Sequence, residues 1–198
     1  VTSRIVVLAS GSGTLLQALI DAPDPAFEIV GVLSDRADAA ALGRAEAAGI
    51  TASVVAADEF SDRATWDNAL ADALREHGPD WVVCAGFMRI LGAPILETFA
   101  GRIVNSHPAL LPAFPGAHGV ASALDYGVKL TGCTVHLVDA GVDTGPILAQ
   151  EALLIDPDDD EASLHERIKT IERRLLLDIV NDLCRFGCTV SGRKVTIP

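Results

Sequence analysis

Two rhythms of apolar residues alternate along this chain. Short, largely apolar runs at Ile5–Leu8, Ile29–Leu33, Ile50–Val55, Trp81–Ala85 and Ile103–His107 read as strands. Between them, Leu15–Ala22, Asp38–Ala48, Arg63–His77 and Pro94–Phe99 read as helices. Gly49 and Gly78 stand where the second and third of these helices must stop. Trp81–Ala85 is apolar throughout, which suits a strand covered on both faces. Strand–helix alternation with connections too short for anything but crossovers predicts an α/β fold with a doubly wound, mostly parallel sheet.

Beyond His107 the pattern changes. His118–Tyr126 reads as a helix, and Cys133–Val138 and Ile147–Leu154 as two strands joined by a glycine-rich loop. These predict an antiparallel addition to the sheet in the C-terminal half. A last helix is expected from Ser163 to about Phe186, opened by the capping box Ser163-Leu-His-Glu166. The acidic run Asp156–Glu161 reads as a solvated turn beside the positive end of that helix. No repeat, low-complexity tract or linker interrupts the pattern, so residues 1–198 are expected to form a single domain.

Composition narrows the function classes. With 49% hydrophobic residues the chain is not disordered. Fifteen Lys and Arg against 27 Asp and Glu give a net charge of −12, which is poor for gripping a phosphate backbone, so no nucleic-acid partner is expected. No apolar run approaches the roughly 18 residues a membrane helix needs, so no membrane partner is expected either. Val1–Ile5 does not read as a signal peptide. Cys84, Cys133, Cys184 and Cys188 lack zinc-ribbon spacing and read as reduced thiols of a cytoplasmic protein. A homodimer stays open, because surface and interface apolar residues look alike in sequence.

In an open parallel sheet, ligands bind beyond the carboxyl ends of the strands. That rule selects Ala9–Thr14, Ala85–Leu91 and Asn105–Pro115. In the first, Gly11, Ser12, Gly13 and Thr14 open a helix whose free N–H groups suit a monophosphate. A nicotinamide-dinucleotide loop is the rival, and Asp35 lies near its acidic position, but Leu16 stands where that fingerprint wants Gly or Ala. The loop also lacks the Gly-Lys-Ser/Thr of a P-loop. In the second, Met88, Ile90 and Leu91 beside Arg89 suit a flat ring with a carboxylate tail, although Arg89 also fits a surface charge.

The third segment is the most informative. Asn105 and His107 are two apart on a strand, so they share a face at its carboxyl end, where Pro108 stops the ladder. An amide donor beside a proton donor suits a developing oxyanion. No nucleophile stands there, and no Gly-x-Ser-x-Gly occurs, so the attacking group belongs to the substrate. A histidine closing a strand with a local hydrogen bond is the plainer alternative. Asp143, in a glycine-rich loop, can reach His107 and favour its charged form. Glu172 interrupts the apolar row Leu164, Ile168, Leu176 and needs a partner: a ligand ammonium, or a nearby lysine or arginine. Arg63 sits at a helix N-terminus, where it is either solvated or reaching for an anion.

With these residues laid out, the chain resembles the phosphoribosylglycinamide formyltransferases, folate-dependent enzymes of purine synthesis. The resemblance is carried by Ile5–Ala18, Ala85–Leu91, Asn105–Pro112 with Phe114–Gly116, Gly132–His136 and Val142–Pro146. It implies the formyltransferase fold, 10-formyltetrahydrofolate as formyl-donor co-substrate, glycinamide ribonucleotide as acceptor, and no metal. It implies Asn105, His107 and Asp143 as the catalytic group. Gly11–Gly13 would then hold the phosphate, Glu172 the attacking amine, and Met88–Leu91 the pterin, with Asn105 touching the folate as well. Arg63 and Arg89 would face its glutamyl carboxylates. The chain departs from common members of the family at Thr14, Leu15, Ala109 and Ala113.

Four rivals remain. A formyltetrahydrofolate hydrolase would need neither the phosphate loop nor Glu172. A methionyl-tRNA formyltransferase is disfavoured by the net charge and by the short run past the last helix. A nicotinamide oxidoreductase must tolerate Leu16, and a non-catalytic folate-binding module has no use for Asn105 with His107.

Overall fold

The computed structural model describes residues 2–198. Its strands are β1 (Ser3–Leu8), β2 (Phe27–Ser34), β3 (Ala52–Val54), β4 (Trp81–Cys84), β5 (Ile103–His107), β6 (Leu130–Leu137), β7 (Ile147–Leu154), β8 (Thr189–Ser191) and β9 (Lys194–Thr196). Its helices are α1 (Thr14–Ile20), α2 (Ala40–Ala47), α3 (Arg63–His77), α4 (Ala93–Thr98), α5 (Gly119–Tyr126) and α6 (Glu161–Phe186). All nine strands join one sheet in the order β3-β2-β1-β4-β5-β6-β7-β9-β8. The first five are parallel to their neighbours, and β6 and β7 add on antiparallel, as the sequence pattern predicts.

Side-chain alternation on the central strands builds two cores. Ile5, Val7, Val83 and Val104 face α1 and α6, meeting Leu16, Leu19, Leu176, Val180 and Leu183. Val6, Leu8, Val82 and Ile103 face the other way, against Trp66, Leu70 and Leu74 of α3, Ile95 of α4 and Phe99 just after it. The neighbours Val82 and Val83 are both fully buried, so β4 is covered on both faces. The Trp66 indole donates to the Val55 carbonyl at 2.7 Å, which satisfies the one polar atom that side chain brings into the core.

The chain leaves β1 for β2 and β3 on one side, then returns to β4 and β5 on the other. The order therefore reverses between β1 and β4, and a crevice opens beyond their carboxyl ends. Among the described residues, no helix is long and apolar enough to cross a membrane.

Two expectations are corrected. The last helix begins at Glu161, not Ser163. Asp160 is its N-cap: its carboxylate accepts from the Ser163 amide at 2.8 Å, and the Ser163 hydroxyl accepts from the Asp160 amide at 3.0 Å. Ser163 is thus the third helical residue of a box one turn earlier, while Glu166 pairs with Lys169. The sequence pattern also predicted nothing past Phe186, yet β8 and β9 form a hairpin that extends the sheet beside β7. Its strands are three residues long and mostly exposed, too short to show a period. The position of the cap is testable by chemical denaturation. Asp160→Ala should lower stability by about 1 kcal/mol, as loss of an N-cap does, whereas Glu166→Ala should leave the midpoint close to that of the parent.

Candidate active site

The loops after β1, β4 and β5 meet in a cleft of about 640 Å³, closed by the β6–β7 loop and one face of α6. The three segments selected by the strand-end rule line it together: Gly11–Thr14, Cys84–Leu91 and Asn105–Pro108.

At its floor, alternation on β5 turns Asn105 and His107 to the α3–α4 side of the sheet, where Ile103 already packs. Antiparallel pairing with β6 puts His136 directly across from Asn105. Asn105 Nδ2 lies 3.2 Å from His136 Nε2. His136 Nδ1 lies 2.9 Å from the Leu137 carbonyl, which can only accept, so Nδ1 carries a proton. Nε2 then lies between the Asn105 amide and the Asp143 carboxylate. His107 is fixed by the same logic: its Nε2 donates to the Phe114 carbonyl at 2.8 Å, and Nδ1 faces Asp143 at 3.4 Å. The two histidines are buried, at 4% and 2% exposure.

Asp143 reaches both rings. Its Oδ1 lies 3.6 Å from His136 Nε2, while the Gly116 amide donates at 2.8 Å to Oδ2, the oxygen that faces His107. The His136 imidazole, the Gly116 amide and the His107 charge together pull its carboxyl down to about 2, against partial burial, which acts the other way. Phe114 and Asp143, the residues that hold His107 at its two nitrogens, both have positive φ, at 54° and 53°. Such strain in side-chain-bearing residues costs on the order of 1–3 kcal/mol each and concentrates at functional sites.

Ser106, between Asn105 and His107, points to the opposite face, toward α6. Its hydroxyl donates to Glu172 Oε1 at 2.7 Å. Leu164, Ile168 and Leu176, the other members of the apolar row, are fully buried, and Glu172 itself is 4% exposed. Burial pushes its carboxyl above the usual range, against the Ser106 hydroxyl and the charges of Lys169 and Arg173. The internal partner of Glu172 is thus a hydroxyl, where the row alone left a lysine, an arginine or a ligand ammonium open. Lys169 and His165, one and two turns back on α6, also line the cleft.

At the β1–α1 loop, α2 takes the carbonyls. The Ala41 amide donates to the Gly11 carbonyl at 3.1 Å, and Arg44 Nε donates to the Ser12 carbonyl at 2.8 Å. No hydrogen bond from the amides of residues 11–14 is formed among the described residues, so they are available to an anion. Gly13 has φ +70°, and a Cβ there would fall 2.7 Å from Ala41 Cα. Its bare backbone is therefore needed for contact with α2, whereas the sequence reading looked for close approach to a ligand.

In the β4–α4 loop, Met88 and Ile90 are 72% and 59% exposed, and Arg89 lines the cleft beside Leu91. Arg89 Nε donates to Asp35 at 2.9 Å. Asp35 is thereby engaged, and Leu16 is wholly buried in the core. Arg63 lies outside the cleft lining. It donates to Asp67 at 2.9 Å and to the Ile90 carbonyl, with its guanidinium 4.9 Å from the Trp66 ring centre. It braces the loop from behind.

Sequence reasoning missed His136, Lys169 and Ser106 as parts of this site. His136 is a lone imidazole in an apolar strand, a signal that gains meaning once the β5–β6 register is known. Lys169 lies three residues before Glu172, on the same helix face.

Residues 3–180 match the family model described as formyl transferase. The phosphoribosylglycinamide formyltransferase of Mycobacterium tuberculosis is 56% identical over 197 residues, spanning 98% of this chain and 91% of that protein. The Bacillus subtilis protein of the same name is 35% identical, over 96% of this chain and 98% of that one. The crystal structure of glycinamide ribonucleotide transformylase 1 from Symbiobacterium toebii superposes with a TM-score of 0.96 at 42% identity, covering 99% of this chain and 94% of that one.

Burial of Glu172 carries a pH signature. Its folded carboxyl binds a proton more tightly than the unfolded one, so ionisation costs stability as pH rises through the ordinary value of 4.5, and the cost levels off once the folded group has ionised. Glu172→Gln keeps an acceptor for Ser106 and removes that cost. Thermal melts without ligand should show the variant at least as stable as the parent at pH 7, with the two curves converging below pH 4.5. A variant less stable at pH 7 would mean that the carboxylate serves an internal ion pair.

Proposed function

The chain belongs to the formyl transferase family, and from that premise we propose that it passes a formyl group from 10-formyltetrahydrofolate to the amine of glycinamide ribonucleotide. The products are formylglycinamide ribonucleotide and tetrahydrofolate, in cytoplasmic purine biosynthesis, and residues 1–198 act as one formyltransferase domain. The observation that carries the reading is the end of β5. Ser106 hydrogen-bonds a buried carboxyl group that forms no ion pair among the described residues and suits an amine, while its neighbours Asn105 and His107 offer donors to an oxyanion.

The cleft suits both substrates. Met88, Ile90, Leu91 and Val142 give apolar surface for a flat ring, with Arg89 beside them for a carboxylate tail. Arg63 adds positive charge behind that loop. The amides of Gly11, Ser12, Gly13 and Thr14 take the phosphate, and Lys169 of the same cleft supplies a cation for it.

The neutral amine, held by Glu172, attacks the formyl carbon. As the new C–N bond forms, negative charge grows on the formyl oxygen. The Asn105 amide, set 3.2 Å from His136 Nε2, offers an Nδ2 hydrogen to this oxygen. His107 Nε2 is committed to Phe114, so Nδ1 is the nitrogen that takes up and delivers a proton. At 3.4 Å from Asp143, that proton is not locked into a short hydrogen bond and can be shared with the oxyanion. Asp143, ionised at every pH well above 2, keeps a negative charge beside the ring and relays the proton lost by the attacking amine toward the departing folate nitrogen. The C–N bond to folate then breaks.

The need for a neutral amine and a charged His107 gives a bell-shaped pH–rate profile. In steady-state formyl transfer, Asn105→Ala and His107→Ala should each lose on the order of 10²–10³ in turnover. The double variant should lose less than the product of the two, because both act on one oxygen. Near-normal turnover of a folded His107→Ala protein would remove the centre of this mechanism.

Gly13→Val tests the phosphate loop separately. The added side chain must displace α2 or the loop, so calorimetry should show weakened ribonucleotide binding with folate binding retained. Equal weakening of both ligands would count against the assignment.

A further inference from the structure

Arg89 reaches the cleft from a loop whose neighbours, Met88 and Ile90, are largely exposed, yet one end of its guanidinium is fixed. Nε donates to Asp35 Oδ2 at 2.9 Å. The other carboxylate oxygen accepts from the Ser10 hydroxyl at 2.5 Å, and the Ser10 oxygen accepts from the Met88 amide at 2.9 Å. Met88 and Arg89 are consecutive, so the bonds close a ring: Asp35, Ser10, Met88, Arg89. The ring joins the carboxyl ends of β1, β2 and β4. The Asp35 side chain is 3% exposed and Arg89 is 47% exposed. One wall of the ring is therefore rigid and dry, while the other opens on the cleft.

With Nε used, the two terminal nitrogens of Arg89 form no hydrogen bond among the described residues. A guanidinium held at Nε by a buried carboxylate presents those nitrogens end-on, in the fork that matches a second carboxylate. We propose that Asp35 is a positioning residue for the formyl donor. It holds Arg89 in the rotamer that receives the donor's terminal carboxylate, and through Ser10 it fixes the Met88 amide and hence the loop that carries the arginine. The inference rests on the reading of Arg89 as the partner of that tail. Its physical basis is preorganisation: a half-exposed arginine without an anchor samples many rotamers, and that freedom must be lost on binding. The same ring gives Asp35 a role unrelated to a ribose hydroxyl, the task a dinucleotide site would have assigned it.

The variant Asp35→Asn separates these contributions. Its amide oxygen still accepts from Ser10, while its NH2 group meets Arg89 Nε donor to donor and releases the guanidinium. Two ligands report the result by calorimetry, tetrahydrofolate and its counterpart lacking the glutamate tail, alongside KM and kcat for the formylated forms. In the parent, removing the tail should weaken binding, and Arg89→Ala should abolish that difference; if neither holds, the tail reading fails, and this proposal with it. Given that difference, Asp35→Asn should weaken binding of the tailed ligand at least tenfold and leave the tail-less ligand within twofold. The kinetic loss should fall on KM rather than kcat, and Asp35→Asn added to Arg89→Ala should cause no further loss. Equal weakening of both ligands would make Asp35 a structural residue of the ring pocket and overturn the proposal; unchanged binding of the tailed ligand would overturn it too. Should Asp35→Asn not fold, Arg89→Lys decides the matter. A lysine cannot bond Asp35 through one nitrogen and offer a fork through two others, so tailed-ligand affinity should fall to that of Arg89→Ala, and parental affinity in Arg89→Lys would refute the idea.

Discussion

Three consecutive residues at the carboxyl end of β5 set the terms for everything around them. Successive side chains of a strand point to opposite faces, so Asn105 and His107 face one layer of the protein and Ser106 faces the other. The first layer answers with His136 from β6 and Asp143 from the following loop, the second with Glu172 from α6. A buried carboxylate and a pair of hydrogen-bond donors thus flank one strand end, which pairs with β6 through His107 and with β4 as far as Asn105. A displacement of that strand by one residue would exchange the two faces and dismantle both halves of the site.

The two carboxylates in this site show how environment divides one functional group into two tasks. Asp143 receives an amide hydrogen bond and sits between two imidazoles, so its charged form is favoured. Glu172 lies in an apolar helix row with a hydroxyl for company, so its charged form is disfavoured until a cation arrives. One is suited to hold negative charge near a proton carrier, the other to hold a ligand amine or give its proton away. Such separation of titrating groups is the usual route by which one protein assigns acid, base and binding roles at neutral pH. A net charge of −12 makes no direct contribution to either. The local surroundings decide, as they do at the β1–α1 loop, where amides without partners among the described residues suit an anion in an acidic protein.

Precision here is supported by strained backbone and by residues one step removed from the cleft. Phe114 and Asp143, both at positive φ, hold the two nitrogens of His107, and packing around them must offset that cost. Arg44 and the start of α2 occupy the carbonyls of the β1–α1 loop, Arg63 braces the Ile90 carbonyl, and Asp35 anchors Arg89. Each of these fixes part of a segment that lines the cleft.

The chain's local periodicities carried a great deal. Strand–helix alternation determined a doubly wound sheet, the two-residue spacing of Asn105 and His107 put them on one face, and a carboxylate in the Leu164, Ile168, Leu176 row marked Glu172 as special. These follow from neighbours in sequence, where the geometry of a strand or helix is enough. The tertiary structure decided the pairings across distance. His136 meets Asn105 from 31 residues away, Ser106 meets Glu172 from 66, and Arg89 meets Asp35 from 54. Strand register and helix docking set such contacts, and neither leaves a periodic trace. The same holds for the hairpin of β8 and β9, too short for a period of its own, which gains its place by pairing with β7. For the cap at Asp160, two overlapping motifs competed within one turn, and the hydrogen bonds made in the folded chain chose between them.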